Sequence, residues 1–388
     1  TLFTKKELTL SKEEFEEFIL KNASILNSLG VRVTLPRELH NLLKPRLAIR
    51  AKSNSPINSF LNLSSILEYD WTIAIGEHNL SIEEFKALVK EQGTLIEYKN
   101  NFILIDPNEI NSLFLKASKK PKLSSLEFLR EKFVNNLFFD KNLEEFFNNL
   151  FKPHSVKIPK NLNSNLREYQ KRGFEWGVSN LLNGFGVILA DDMGLGKTLQ
   201  TITLLVSDQG KGSSIIVCPA SLIYNWQHEL ELFASNLRIQ VVAGNAKERK
   251  ELIEQYTSYD VLITSYDLLR RDLEIYEGCK FFYQILDEAQ YIKNHMTMNA
   301  KAVKQINAAY RLALTGTPIE NSLSELWSIF DYLMPGYLYS YTRFRKQFEM
   351  PIMKNEDAAA RNRLRKMTAP FLLRRSKSQV LSDLPEKD

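Results

Sequence analysis

The stretch Asp191-Asp192-Met193-Gly194-Leu195-Gly196-Lys197-Thr198 carries the residue types that hold a polyphosphate. Gly194 and Gly196 let backbone N–H groups close around phosphate oxygens, Lys197 supplies a point charge, and Thr198 offers a hydroxyl to Mg²⁺. Farther on, Ile285-Leu286-Asp287-Glu288-Ala289-Gln290 reads as a strand ending in two acids. In such chemistry Asp287 holds the metal and Glu288 the attacking water. These residues predict a site for a nucleoside triphosphate in which Lys197, Asp287 and Glu288 are catalytic and Thr198 and Asp287 are metal ligands. One position departs from the general pattern: Asp191 stands five residues before Gly196, where a first glycine is usual, and this disfavours metabolic kinases.

Such groups must be presented by a scaffold, and the surrounding pattern supplies one. The phosphate loop lies between the apolar run Gly186 to Ala190 and the helix-forming Leu199-Gln200-Thr201. Further apolar runs at Ser214 to Cys218, Ile239 to Ala243, Val261 to Thr264, Tyr283 to Leu286 and Leu312 to Leu314 alternate with helical stretches. That rhythm predicts an α/β fold, a doubly wound parallel sheet with its ligand site at the carboxyl ends of the strands.

Ahead of it the pattern is different. Ser11-Lys12-Glu13-Glu14 and Ser81-Ile82-Glu83-Glu84 are capping boxes that open helices. Strand-like runs occupy Val31 to Leu35, Arg46 to Ala51, Leu67 to Ile75, Thr94 to Tyr98 and Phe102 to Ile105. An α+β accessory domain is expected over residues 1–122. Residues 123–160 read as a connector, with two phenylalanine-rich helices up to Phe151 and a linker after them. Aromatic residues at that spacing are core rather than a stripe for a partner. The α/β fold then spans 161–335 and a basic helical segment 336–388.

Composition sets outer bounds. A chain of 388 residues with 44% hydrophobic content is globular and long enough for more than one domain. No run approaches the roughly 20 apolar residues of a membrane span, so the expectation is a cytoplasmic protein without membrane contact. The two cysteines, Cys218 and Cys279, lack metal-binding spacing. A net charge of +5 permits nucleic-acid contact without indicating it.

Leu312-Ala313-Leu314-Thr315-Gly316-Thr317-Pro318 is a third strand-end motif, whose hydroxyls could sense the phosphate site. With Leu166-Arg167-Glu168-Tyr169-Gln170, with Cys218-Pro219-Ala220-Ser221-Leu222-Ile223-Tyr224-Asn225-Trp226, with Ile263-Thr264-Ser265-Tyr266 and with the closing Phe371-Leu372-Leu373-Arg374-Arg375, it forms an ordered series. From Leu166 to Pro385 this series resembles the bacterial Swi/Snf-type, superfamily-two, helicase-like DNA-dependent ATPases. Asp192 stands where members commonly have Glu. The resemblance implies a RecA-like first lobe (a P-loop NTPase fold) that couples ATP turnover to translocation on double-stranded DNA. It puts Gln170 at the adenine and Asp192, Met193, Gly194, Leu195, Gly196, Lys197 and Thr198 at ATP and Mg²⁺. For DNA it points to Pro219, Ser221, Leu222, Asn225 and Trp226 and to Thr264, Ser265 and Tyr266. Trp226 fits a buried helix position equally well, because Leu222 and Trp226 are four apart. Thr315, Gly316 and Thr317 would couple the two sites.

The resemblance also implies a second, C-terminal RecA-like lobe, absent here, whose arginines complete the phosphate site. Loss of such an arginine lowers phosphoryl transfer by roughly 10³ to 10⁵. The expectation is therefore the first part of a monomeric translocase or remodeller that binds ATP and scarcely hydrolyses it alone. The alternative is a nucleotide-gated regulatory module whose N-terminal region docks a protein partner. An RNA-directed helicase shares the phosphate loop and acid pair, but Gln290 and the Thr315 to Trp327 stretch argue against it.

Overall fold

The computed structural model describes residues 10–11, 14–15, 18–22, 25–26, 29–30, 45–53, 60, 67–76, 78–93, 95–99, 101–105, 107–118, 123–134, 137–316 and 323–383. The expected strand Val31 to Leu35 lies outside the described residues. The chain forms two compact units: Thr1–Pro56 with Ser65–Leu123 and Val134–Glu144, and Ile57–Ser64 with Ser124–Phe133 and Glu145–Asp388. The division departs from the expected boundaries, because the connector is shared between the units instead of standing apart.

The first unit is built on a mixed sheet. Strands β1 (Arg46–Ser53), β2 (Leu67–Ile75) and β3 (His78–Ser81) pair antiparallel in sequence order. A hairpin of β4 (Leu95–Tyr98) and β5 (Asn101–Leu104) stands as its own two-stranded sheet. Strand β6 (Leu137–Phe139) pairs parallel with β1, which corrects the helical expectation for that stretch. Three residues between two helices leave no periodicity from which a strand could be read. Ile73, Ile75, Phe85, Ile96, Ile103 and Ile105 form the core of this unit. Helix Ile82–Gln92 starts at a complete capping box: Ser81 Oγ accepts from the Glu84 N–H at 3.1 Å, and Glu84 Oε2 accepts from the Ser81 N–H at 2.7 Å. The box at Ser11 and Glu14 forms as well.

The second unit carries a seven-stranded sheet, in which β7 (Val187–Leu189), β8 (Ser214–Cys218), β9 (Ile239–Val241), β10 (Val261–Ser265), β11 (Phe281–Leu286), β12 (Ala308–Leu314) and β13 (Leu372–Leu373) stand in the order β13-β7-β12-β11-β8-β10-β9. Every neighbouring pair is parallel. Strands β8 and β10 are buried at every residue, as expected of a sheet covered on both faces. This is the RecA-like fold, with its helices on the sheet's faces and an α+β accessory region beside it in sequence.

Of the connector's phenylalanines, Phe128 and Phe147 are core, and Phe133, Phe146 and Phe151 are half-buried. Phe128 and Phe147 are buried with ring centroids 5.7 Å apart, and Phe151 joins Phe185 and Phe371 at 5.8 and 5.6 Å. In helix Ala358–Thr368 the basic residues Arg361, Arg365 and Lys366 are exposed while Leu364 and Met367 are buried, a solvated face over an apolar one. Among the described residues no helix is long and apolar enough to cross a membrane.

Candidate nucleotide and DNA site

The parallel sheet brings three motifs to one edge, because β7, β12 and β11 are consecutive neighbours and all end there. From β7 the chain enters the phosphate loop, and helix Lys197–Ser207 begins immediately after it. Gly196 is the helix N-cap in the left-handed region (φ 73°), and a Cβ there would sit 2.3 Å from Gln170 Nε2. Both backbone freedom and lack of a side chain are needed at that position. Gly194, at φ 83°, completes the turn.

Lys197 folds back over its own loop, with Nζ donating to the Asp191 carbonyl at 2.7 Å and to that of Asp192 at 3.4 Å. Burial lowers its pKa against the opposing pull of Asp191, Glu288, Asp287 and Asp192. An ammonium held by two carbonyls among carboxylates is ready to exchange them for phosphate oxygens. Gln170 is buried: its Oε1 accepts from the Arg167 N–H at 2.9 Å and its Nε2 donates to the Leu195 carbonyl at 3.3 Å. Here it braces the phosphate loop.

Asp287 and Glu288 follow β11 directly. The Asp287 carboxylate accepts from the Glu288 N–H at Oδ1 and from Trp226 Nε1 at Oδ2, both at 2.9 Å. Burial raises its pKa, and those two hydrogen bonds work against the rise. Glu288 has φ 50° and ψ 57°, a left-handed conformation costing a non-glycine residue on the order of 1–3 kcal/mol. Its Oε2 accepts from Gln290 Nε2 at 2.7 Å, and Gln290 Oε1 accepts from Thr315 Oγ1 at 3.2 Å. The acid after β11 is thereby tied to the motif after β12. Gly316 packs on the loop: a Cβ there would lie 3.1 Å from Met193 Cγ and 3.8 Å from Lys197 Nζ. Thr317 lies outside the described residues.

The donors present fit Mg²⁺. Thr198 and Asp287 offer hard oxygen donors, and no cluster of three or more His, Cys, Asp or Glu side chains that could hold a metal occurs among the described residues. Mg²⁺ suits such a setting, because it binds through one or two carboxylates together with phosphate and water.

A buried ion pair anchors the start of the loop. Asp191 is fully buried, and Arg375, which follows β13, grips its carboxylate through both Nε, at 2.9 Å, and Nη2. Arg375 Nη2 also donates to Gln200 Oε1 at 2.9 Å and Nη1 to the Tyr169 carbonyl. Gly173 makes room, since a Cβ on it would come within 2.0 Å of Gln200 Oε1 and 2.8 Å of Arg375 Nη2. Backbone bonds add to this knot, from the Ala190 N–H to the Leu373 carbonyl at 2.7 Å and from the Asp192 N–H to the Arg375 carbonyl at 3.0 Å.

The segments expected at DNA separate into surface and core. Ser221 and Asn225 are exposed, and Leu222 is half-buried. Pro219, Trp226, Thr264, Ser265 and Tyr266 are buried. Trp226 and Tyr266 thus correct the expectation of side-chain contact with DNA. In helix Ile223–Phe233 the buried positions are Ile223, Trp226 and Leu230, so Trp226 lies on the core stripe. Thr264 and Ser265 belong to interior strand β10, and Ser265 Oγ caps helix Tyr266–Arg271 by accepting from the Leu268 N–H at 3.2 Å. Tyr224, 68% exposed between Ser221 and Asn225, is a surface group that the motif reading passed over.

A family model described as SNF2-related domain matches residues 169–388, the span that holds all of these groups. The chain belongs to the SNF2 family. A second model, described as SNF2 Helicase protein, matches residues 4–133. An ATP-dependent helicase/translocase of Bacillus subtilis, YwqA, is 32% identical over 97% of this chain and 45% of its own length. The human TATA-binding protein-associated factor 172 is 37% identical over 69% of this chain and 15% of its own. The Sulfolobus solfataricus SWI2/SNF2 ATPase core in complex with dsDNA superposes with a TM-score of 0.55 at 43% identity, covering 60% of this chain and 49% of that one. Its ATPase core domain solved separately gives 0.54 and 42%, covering 60% and 48%. The chain thus spans about half the length of these bacterial and archaeal SNF2 relatives or less, and a far smaller part of the human one. SNF2 membership implies ATP as the nucleotide.

Proposed function

We propose that this chain forms the first RecA-like lobe and accessory region of an ATP-driven translocase on double-stranded DNA. The observation that carries the reading is the convergence of Lys197, Thr198, Asp287, Glu288 and Thr315 at the ends of adjacent parallel strands. The likeness to an SNF2 core solved with duplex DNA supports the choice of DNA.

In this reading the helix N-terminus at Gly196 and the ammonium of Lys197 receive the phosphates, and Lys197 exchanges its two carbonyl partners for phosphate oxygens. Thr198 and Asp287 would hold Mg²⁺, which when bound offsets phosphate charge. Glu288 orients the attacking water, with its carboxylate set by Gln290. The exposed Ser221, Tyr224 and Asn225 meet the DNA backbone, where contacts position without reading sequence. Arg375 is committed to Asp191, and in this reading an arginine of a second RecA-like lobe offsets charge on the transferring phosphoryl group.

The test is ATP hydrolysis with and without duplex DNA, by the chain alone and joined to a second lobe. Duplex DNA should stimulate the completed protein, and Glu288→Gln should retain nucleotide binding while turnover falls by about 10² to 10⁴. A Glu288→Gln protein that hydrolyses ATP at the parental rate would refute the assignment.

A further inference from the structure

Both segments read as DNA contacts turn a buried aromatic ring toward one residue, Asp287. Trp226, 1% exposed, donates its indole N–H to Asp287 Oδ2 at 2.9 Å. Tyr266, 2% exposed, donates its hydroxyl to the Asp287 carbonyl, also at 2.9 Å. The donors arrive through different connections, Trp226 after β8 and Tyr266 after β10, and the acceptor follows β11. In the sheet β8 lies between β10 and β11, so the three strand ends are neighbours.

Filling the core does not require the Trp226 bond, because an indole in an apolar setting is satisfied by any nearby carbonyl, whereas a bond to a carboxylate is charge-assisted and directional. The Tyr266 bond holds the main chain of the same residue. With Oδ1 engaged by the Glu288 N–H and Oδ2 by Trp226, the plane of the carboxylate is set while both oxygens keep lone pairs for a cation. Each buried ring also has an exposed neighbour. Tyr224 and Asn225 precede Trp226 on the same helix and face solvent. Tyr291, 51% exposed, lies stacked on Tyr266 with ring centroids 5.2 Å apart and planes at 8°.

We infer that Trp226 and Tyr266 are positioning residues that carry DNA engagement to the metal-binding carboxylate. A shift of the exposed face of either segment moves the donor on its buried side and reorients Asp287. The inference rests on the function proposed above, and it makes DNA stimulation a change in how well Asp287 meets its cation.

Trp226→Phe and Tyr266→Phe test it in the complete protein, each deleting a donor while leaving an aromatic ring in place. The second removes a single oxygen, so its fold is preserved. Three quantities are measured: ADP affinity across a Mg²⁺ titration with EDTA as the zero point, duplex affinity without nucleotide, and the ratio of DNA-stimulated to basal hydrolysis. Partners of metal ligands typically alter metal affinity by 10- to 100-fold, so the Mg²⁺ concentration for half-maximal ADP binding should rise about tenfold. ADP affinity in EDTA and duplex affinity should stay at the parental values, and the stimulation ratio should fall. An unchanged Mg²⁺ requirement would overturn the inference. So would equal loss of basal and stimulated turnover, which is metal positioning without relay, or a loss of duplex affinity alone, which is direct DNA contact. Failure of the underlying function is separately visible, as parental protein that duplex DNA does not stimulate.

Discussion

The two units use opposite sheet designs. In the first, β1, β2 and β3 pair antiparallel, so successive strand ends alternate between the two edges of the sheet. In the second, every strand runs the same way, so all strand ends collect at one edge with phosphate loop, acids and hydroxyl motif together. The side chains differ accordingly. A cleft of about 320 Å³ in the first unit is lined by Arg50, Lys52, Asp140 and Glu144, whose charges cancel. In the second, Lys197 faces carboxylates from two motifs. Parallel topology is what concentrates chemistry here.

The strongest challenge to this contrast is Lys197→Ala. In the protein joined to a second lobe it should abolish measurable ATP turnover, a loss of roughly 10³-fold or more, because the phosphates lose their fixed cation. ATP titration and steady-state hydrolysis would show it, and near-parental turnover would mean that the motor site lies elsewhere.

Arg375→Ala sharpens the contrast on the side of stability. It strands the buried Asp191 carboxylate, at a cost of about 3–5 kcal/mol, readable by denaturant unfolding monitored on the second unit. Combining it with Asp191→Asn should recover part of that loss, since the isolated charge is then gone. Absence of recovery would show that the arginine acts through its bonds to Tyr169 and Gln200 instead.

A smaller effect belongs to the first unit. Ser81→Ala removes one half of a capping box and should cost about 1 kcal/mol, with ATP affinity unchanged. A matching loss of ATP affinity would break the division of labour.

The mildest expectation concerns Cys218, whose thiol burial pushes up to about 12. At pH 8 the native protein should resist alkylation there and react only when unfolded, because so little thiolate exists below its folded-state value. Rapid native labelling, read by mass spectrometry, would show that β8 opens.

Much of this was legible in the residues because the central strands are fully buried and therefore read as unbroken apolar runs. Ser214–Cys218 matches its expected span, and Val261–Ser265 extends its own by one residue. The phosphate loop and acid pair were equally visible, since each is contiguous in sequence. What escaped is non-local or very short. The partners Arg375 and Asp191 stand 184 residues apart, and no periodicity links them. Strand β13 has two residues, and the three of β6 continue the helical spacing of the residues before them, so neither registered as a strand. Trp226 was legible as a helix-face residue, but its acceptor belongs to another strand end. The odd aspartate in place of a glycine was the one available clue, and its meaning needed the fold.

Strand β13 runs parallel to β7 at the edge of the sheet, and its next residues hold the phosphate loop by Arg375 and by the bond from the Asp192 N–H. A tug along β13 would load these contacts in shear, so that several must yield together. Tension applied to that short strand would reach the phosphate loop before it disturbed the interior of the sheet. The edge strand is in this sense a tendon, and the loop it inserts on is the one that the proposed function assigns to the phosphates.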